Sequence, residues 1–321
     1  MTNSSQNMTS FKSKLKFVIF ALALSVVIFP LFTFSSHSND LYVDDSASGS
    51  QDGSKKHPYK TIEDAMDKAT SGTEIHVSRG EYEENVEIKK GVSLSGANKE
   101  NTVIKADHEN EDAVIMKNKS KIYGFTVKDG RNGIRVEDDA KVTITSCIIK
   151  DNRRDGVSLE KADVRDSREA TISNSEIRDN GKAGIFSERR KLNITENEIK
   201  NNGSDGIDIL AGSNAWINNN TVRENRGSGM KLAVDGSSVW TKRNLIRENR
   251  REGMEISFSG GNGRVNVDRS KIVENGHYAV ARIQKGNFAN SFNLWNEKLT
   301  FNSGNSIWGN KFGQISSIIY Q

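Results

Sequence analysis

The sequence predicts an all-β solenoid of about 23 residues per turn, closed at its N-terminal end by one short helix. Three observations predict it. Glycines recur at Gly133, Gly156, Gly184, Gly206, Gly229 and Gly253, with Ala279 in the same role, at intervals of 23, 28, 22, 23, 24 and 26 residues. An asparagine stands four residues before each member from Gly156 onward: Asn152, Asn180, Asn202, Asn225, Asn249 and Asn275. That offset is constant, so length changes fall elsewhere in the repeat. Apolar residues keep the same register. Ile149, Ile177, Ile199, Val222, Ile246 and Ile272 lie three before the Asn, and Val157, Ile185, Ile207, Met230, Met254 and Val280 directly follow the glycine position. Alternating runs of this length between polar turns fit strands and are too short for helices.

The chain begins with a targeting segment. Lys12, Lys14 and Lys16 precede the uncharged apolar run Phe17–Phe34, with small residues at Thr33, Ser35 and Ser36. Residues 1–36 therefore read as an export signal or, if uncleaved, as a membrane anchor with a cytoplasmic N-terminus. No cysteine follows the run to mark a lipoprotein. The formal net charge is +4, and the three leader lysines account for most of it, leaving the exported part near neutral. A nucleic-acid partner, which needs a concentrated basic surface, is therefore not expected. The single cysteine, Cys147, excludes an intrachain disulfide framework, and its place in the repeat marks it as a small inward-facing residue, not a nucleophile.

Residues 41–105 read as an N-terminal cap with the first coils. Thr61 and Asp64 make a capping-box-like start, Ile62, Ala65, Met66 and Ala69 one apolar face, and Gly72 a stop. Residues 106–286 carry the repeats. The segment 287–321, with Phe292, Trp295, Trp308 and Phe312, breaks the register and reads as a C-terminal coil and cap, since open solenoid ends recruit other strands.

A period near 23 with three short strands resembles the right-handed parallel β-helix of the pectin-lyase-like superfamily, and residues 41–105 resemble the opening module of exported bacterial β-helix proteins. The resemblance implies that each repeat is one coil, that the Asn column forms a hydrogen-bonded ladder, and that the neighbouring glycine permits backbone conformations closed to other residues. It also implies a role in binding or processing polysaccharide.

The catalytic motifs of that superfamily are not reproduced. "SDGID", residues 204–208, resembles the acid-bearing segment of galacturonan hydrolases, and Asp205 matches its first aspartate. One coil later, where an Asp pair is required, stand Gly227 and Ser228. His277 lies only five residues before Arg282, with Lys285 beyond, where those enzymes have more than a coil between His and Arg. No proline follows Pro58, no calcium-ligand cluster stands out, and the "DPHD" motif of alginate epimerases is absent. His37, His57, His76, His108 and His277 are too scattered to hold copper. No cofactor or metal is expected.

Two outward columns remain. Arg135, Ser158, Phe186, Asp208, Lys231, Glu255 and Ala281 lie two residues beyond the glycine position. Asp208, Lys231 and Glu255 are the catalytic candidates, with their carboxylates two strand spacings apart, about 9–10 Å. Lys231 between them is expected to keep both ionised, which favours a simple cross-strand ladder. Two residues before each Asn stand Lys150, Arg178, Lys200, Arg223 and Arg247, followed by Asp151, Asp179, Asn201, Glu224 and Glu248. This reads as a solvated face of paired signs. If it binds an acidic glycan, Lys200, Arg223 and Arg247 are the contacts. Surface-glycan recognition without a recognisable catalytic motif is the leading reading. The alternatives are a structural or adhesive surface protein, and a polysaccharide lyase, hydrolase or epimerase with a divergent site.

Overall fold

Each repeat folds into one coil of three short strands, and equivalent strands of successive coils pair in parallel. The computed structural model describes residues 39–138, 140–161, 169–286 and 291–321, with only the backbone of 291–293. The predicted leader and the Phe292 side chain lie outside the described residues. Among those residues no helix is long and apolar enough to cross a membrane.

Three parallel sheets result, of 11, 10 and 10 strands. The first runs from Leu41–Val43 to Leu299–Phe301, the second from Gly80–Glu83 to Ser306–Trp308, and the third from Val86–Ile88 to Gly313–Tyr320. The predicted inward columns are the core: Ile144, Ile149, Val157 and their equivalents in later coils are buried. In the strand Ile207–Ile209 both isoleucines are buried and Asp208 faces out.

Two left-handed residues turn each coil. Asp151, Asp179, Asn201, Glu224 and Glu248, at φ of 55 to 57°, connect the second sheet to the third. Ser146, Asn174, Glu196, Asn219 and Arg243 connect the first to the second. Asp and Asn tolerate this region and Glu does so at a cost, offset here by a ladder beside each bend. At the second bend the Nδ2 groups of Asn152, Asn180, Asn202, Asn225 and Asn249 each donate to the Oδ1 of the next Asn at 2.9–3.0 Å. The ladder ends with Asn275 donating to Asn310 at 2.9 Å. The first bend has a ladder that the sequence reading missed, in the slot of Cys147: Asn197 donates to Asn220 and Asn220 to Asn244, each at 3.0 Å.

The glycine column is sterically, not conformationally, required. Gly206 does not have a positive φ. A Cβ there would lie 2.4 Å from Val222 Cγ1 and 2.7 Å from the Gly229 carbonyl oxygen. The expected left-handed freedom is supplied instead by the residue before each Asn.

Helix α1, Ile62–Lys68, buries Ile62, Ala65 and Met66 against the first strands. Thr61 caps it through the Asp64 N–H, and the Glu84 carboxylate accepts from the N–H groups of Ile62 and Glu63 at 2.9 and 2.8 Å. The helix stops at Ala69, and Gly72 lies in the turn beyond. Helix α2, Ser291–Lys298, lies beside the stack with Trp295 buried edge-on to Phe258. Residues 299–320 then add a regular coil, with Asn305 and Asn310 in the ladder slots. Trp308 and Phe312 stand half exposed. The residues inserted between Gln284 and Leu299, α2 among them, displace this coil from the repeat register.

Coil length varies mainly at the corner from the third sheet to the first. It takes three residues between Ser187 and Lys191, nine between Leu159 and Glu169, and fourteen, including α2, between Gln284 and Leu299.

Candidate functional site

The outward row of the third sheet is in the predicted register. Arg135, Ser158, Phe186, Asp208, Lys231, Glu255 and Ala281 pair in sequence on consecutive strands. Beside it runs a second row, the residue just before each glycine position, which Ala113 fills in the first of these coils: Asp112, Asn132, Asp155, Ala183, Asp205, Ser228 and Glu252, all buried. These side chains tie coil to coil. Asn132 donates to Asp112 at 2.8 Å, Asp155 N–H to Asn132, Ala183 N–H to Asp155 at 2.9 Å, and Ser228 N–H to Asp205 at 2.7 Å. Asp205, the residue that suggested a hydrolase, is therefore part of a scaffold row.

The outer row and the turns beside it form a groove of about 440 Å³ lined by Arg131, Arg135, Arg154, Lys182, Phe186 and Asp208 among others. Its N-terminal half is built on Asp112, which accepts from Arg131 at 2.8 and 3.1 Å and from Arg135 at 2.8 Å. Burial pushes the Asp112 carboxyl up, but the hydrogen bonds from Arg131, Asn132 and Arg135 outweigh it and hold the pKa below the usual value. Arg135 also pairs with Glu160 at 2.9 Å. Arg154 and Lys182 are exposed on the next two coils and make no ion pair with a described residue.

Asp208 lines the other half. Its side chain is only 15% exposed, and Oδ1 is buried without a hydrogen-bond partner. Oδ2 lies 3.7 Å from Lys231 Nζ, which also reaches Asp205 at 4.0 Å. Burial raises the Asp208 pKa to about 6 and outweighs the attraction of Lys231, with Asp205 and Glu255 adding repulsion. The expectation that Lys231 keeps both carboxylates at ordinary values is thus corrected. Lys231 is 39% exposed and screened, whereas Asp208 is largely desolvated. Burial likewise raises Glu255, whose carboxylate is 3.6 Å from Arg251 and accepts from the Ser228 hydroxyl at 3.4 Å. The same hydroxyl reaches Glu252 at 3.2 Å, and His277, stacked on Phe312, meets Glu252 at 3.0 Å. Among the described residues no group of His, Cys, Asp and Glu is arranged to hold a metal ion.

Lys200, Arg223 and Arg247 lie in register on the second sheet, apart from the groove, and their charges are used internally. Lys200 pairs with Glu176 at 2.9 Å and Glu198 at 3.0 Å. Arg223 pairs with Glu198 at 2.7 Å and with Glu224, and Arg247 with Glu248 at 2.5 Å. The predicted face of paired signs is what forms. The groove cations Arg131, Arg154 and Lys182 were missed, although their signal was present. They stand two residues before the glycine position, a column that also holds Arg251 and His277.

Residues 132–315, more than half of the chain, match the family model described as right handed beta helix region, and residues 46–102 match a protein family of unknown function, DUF1565. An uncharacterized protein of Bacillus subtilis (strain 168), YwoF, is 28% identical over 132 residues, covering 35% of this chain and 28% of YwoF. The chain thus matches under a third of that relative's length. Among solved structures, XylC in complex with xylose superposes with a TM-score of 0.62 at 14% identity, covering 77% of this chain and 67% of XylC. Pectate lyase Pel9A superposes with a TM-score of 0.54 at 13% identity, covering 88% and 76%. With the stacked coils, both ladders and the family match in agreement, the chain belongs to the right-handed parallel β-helix family, in the pectin-lyase-like fold.

Proposed function

We propose that this chain is an exported protein that recognises an acidic polysaccharide in the groove along its third sheet. The observation that carries the reading is the pair Arg154 and Lys182, two exposed cations on adjacent coils that border a polar groove and form no ion pair with a described residue, the buried Asp155 carboxyl being the charge they act on. Carboxylates spaced along a uronate polymer would complete both. The fold neighbours XylC, solved with xylose, and a pectate lyase are in keeping with a saccharide ligand. The apolar run Phe17–Phe34 supports export to a place where such polymers occur.

Titration calorimetry with polygalacturonate and alginate tests the reading. The expected result is saturable, salt-sensitive binding that Arg154→Ala or Lys182→Ala weakens about tenfold, as loss of one charged hydrogen bond predicts. Arg223→Ala, already neutralised by Glu198 and Glu224, leaves affinity within about twofold. Absence of binding to any acidic polymer would overturn the reading. Fractionation of the source cells, with the chain found outside the cytoplasm, tests the export half.

One observation favours a second reading, a polysaccharide lyase, hydrolase or epimerase. Asp208 combines a raised pKa, an unpartnered oxygen and a place in the groove, as an acid–base group requires. Ultraviolet-absorbing unsaturated ends, new reducing ends or epimerised residues, all lost in Asp208→Asn, would establish it. Binding without any of these products would remove it.

A further inference from the structure

The first sheet presents a face of different chemistry from the other two. Trp216 and Trp240 occupy the same outward position on consecutive strands, between the buried pairs Ala215 and Ile217, and Val239 and Thr241. Their rings stack with centroids 5.0 Å apart and planes 13° from parallel. The chain has only four tryptophans, and two of them are placed in this outward row. The row continues as Thr143, Thr171 and Asn193 on one side of the pair and Asn266 and Thr300 on the other. From Thr143 to Thr300 it contains no ionisable side chain. Of the flanking cations, Lys191 pairs with Glu169 at 3.4 Å and Lys242 with Asp268 at 3.7 Å, while Arg264 is exposed.

We infer that this face is a second carbohydrate-binding surface, specific for a neutral polysaccharide and separate from the groove. The tryptophans form a ridge two coils high, with a shelf of short polar side chains at each end. Because the rings stack along the coil axis, the outer indole face of Trp240 looks over the Asn266 shelf. That of Trp216 looks over Asn193, with Lys191 Nζ 5.7 Å from its ring centroid. A pyranose ring has a face of C–H groups that packs on an indole, and an edge of hydroxyls that pairs with Asn amides and Thr hydroxyls. Strand spacing repeats those partners about every 4.8 Å along the axis, so an extended sugar chain meets them in series. The row itself offers a uronate polymer no cation, and beside it Arg264, two residues before Asn266, is exposed without an ion pair to a described residue.

Cross-strand packing alone also stabilises a tryptophan pair, and the experiment separates the two roles. The full chain is run through native gels containing hydroxyethylcellulose, arabinoxylan or dextran, and in parallel through gels containing polygalacturonate. The expected result is retardation by at least one neutral polymer, weakened about tenfold in Trp240→Ala and measurably in Asn266→Ala, a smaller change outside both ladders. Polygalacturonate retardation stays unchanged in both variants, while Arg154→Ala shows the opposite pattern. The inference fails if no neutral polymer retards the protein. It also fails if both variants keep full retardation and Trp240→Ala changes only the melting temperature.

Discussion

The Asp208 carboxylate sits 3.7 Å from the Lys231 ammonium on the next coil and still has a pKa raised to about 6. Desolvation therefore decides the protonation state here, not the nearest opposite charge. Below about pH 4 the group is protonated in folded and unfolded chains alike. Between the ordinary value of 3.8 and about 6 the unfolded chain ionises first, so stability falls as pH rises through that window. The full penalty, about 2–3 kcal/mol, is present above pH 6. Asp208→Asn is expected to flatten this profile and raise the melting temperature at pH 7.5, as thermal melts of both proteins across pH 4–8 would show. An unchanged profile would mean that Asp208 titrates normally.

Asn225→Ala removes four ladder contacts. The Asn225 side chain donates to Asn249 at 3.0 Å and to the Ile199 carbonyl at 3.2 Å, and accepts from Asn202 Nδ2 and N–H. Buried donors and acceptors left without partners cost about 1–3 kcal/mol each, so a loss of at least about 3 kcal/mol is expected by urea denaturation. Asn201→Ala, at the exposed neighbouring bend, is expected to cost less than half of that.

Gly206→Ala tests the steric origin of the glycine column. The added methyl meets Val222 at 2.4 Å and the Gly229 carbonyl at 2.7 Å, and the coils must part to admit it. A loss of about 1–3 kcal/mol is expected. A neutral or stabilising result, as for a helix glycine, would refute the close-approach argument.

Cys147 is buried and its thiol is pushed up to about 11. Iodoacetamide at pH 8 is expected to label it only after the chain is unfolded, followed by mass spectrometry.

The scaffold was legible in the sequence because stacking makes the repeat strict. The Asn and Gly positions of Asn202 and Gly206 keep their offset in six successive coils, since the ladder and the close approach recur in each. The second ladder was harder to read, because Cys147, Ser175 and Asn197 share one slot but not one residue type. The final coil was expected, but its register was obscured by the residues inserted before Leu299. The electrostatics of the site were legible only as a column of cations two residues before the glycine position. Lys231 beside Asp208 suggests a carboxylate of ordinary pKa on paper, and burial, which no local pattern encodes, raises it to about 6.

The corner between the third and first sheets accepts three, nine or fourteen residues while the hydrogen bonds at both bends continue from coil to coil across it. Insertions confined there leave every hydrogen-bonded bend in phase, so this margin is where evolution can lengthen a loop, or an engineer graft an epitope, while the coils beneath keep time.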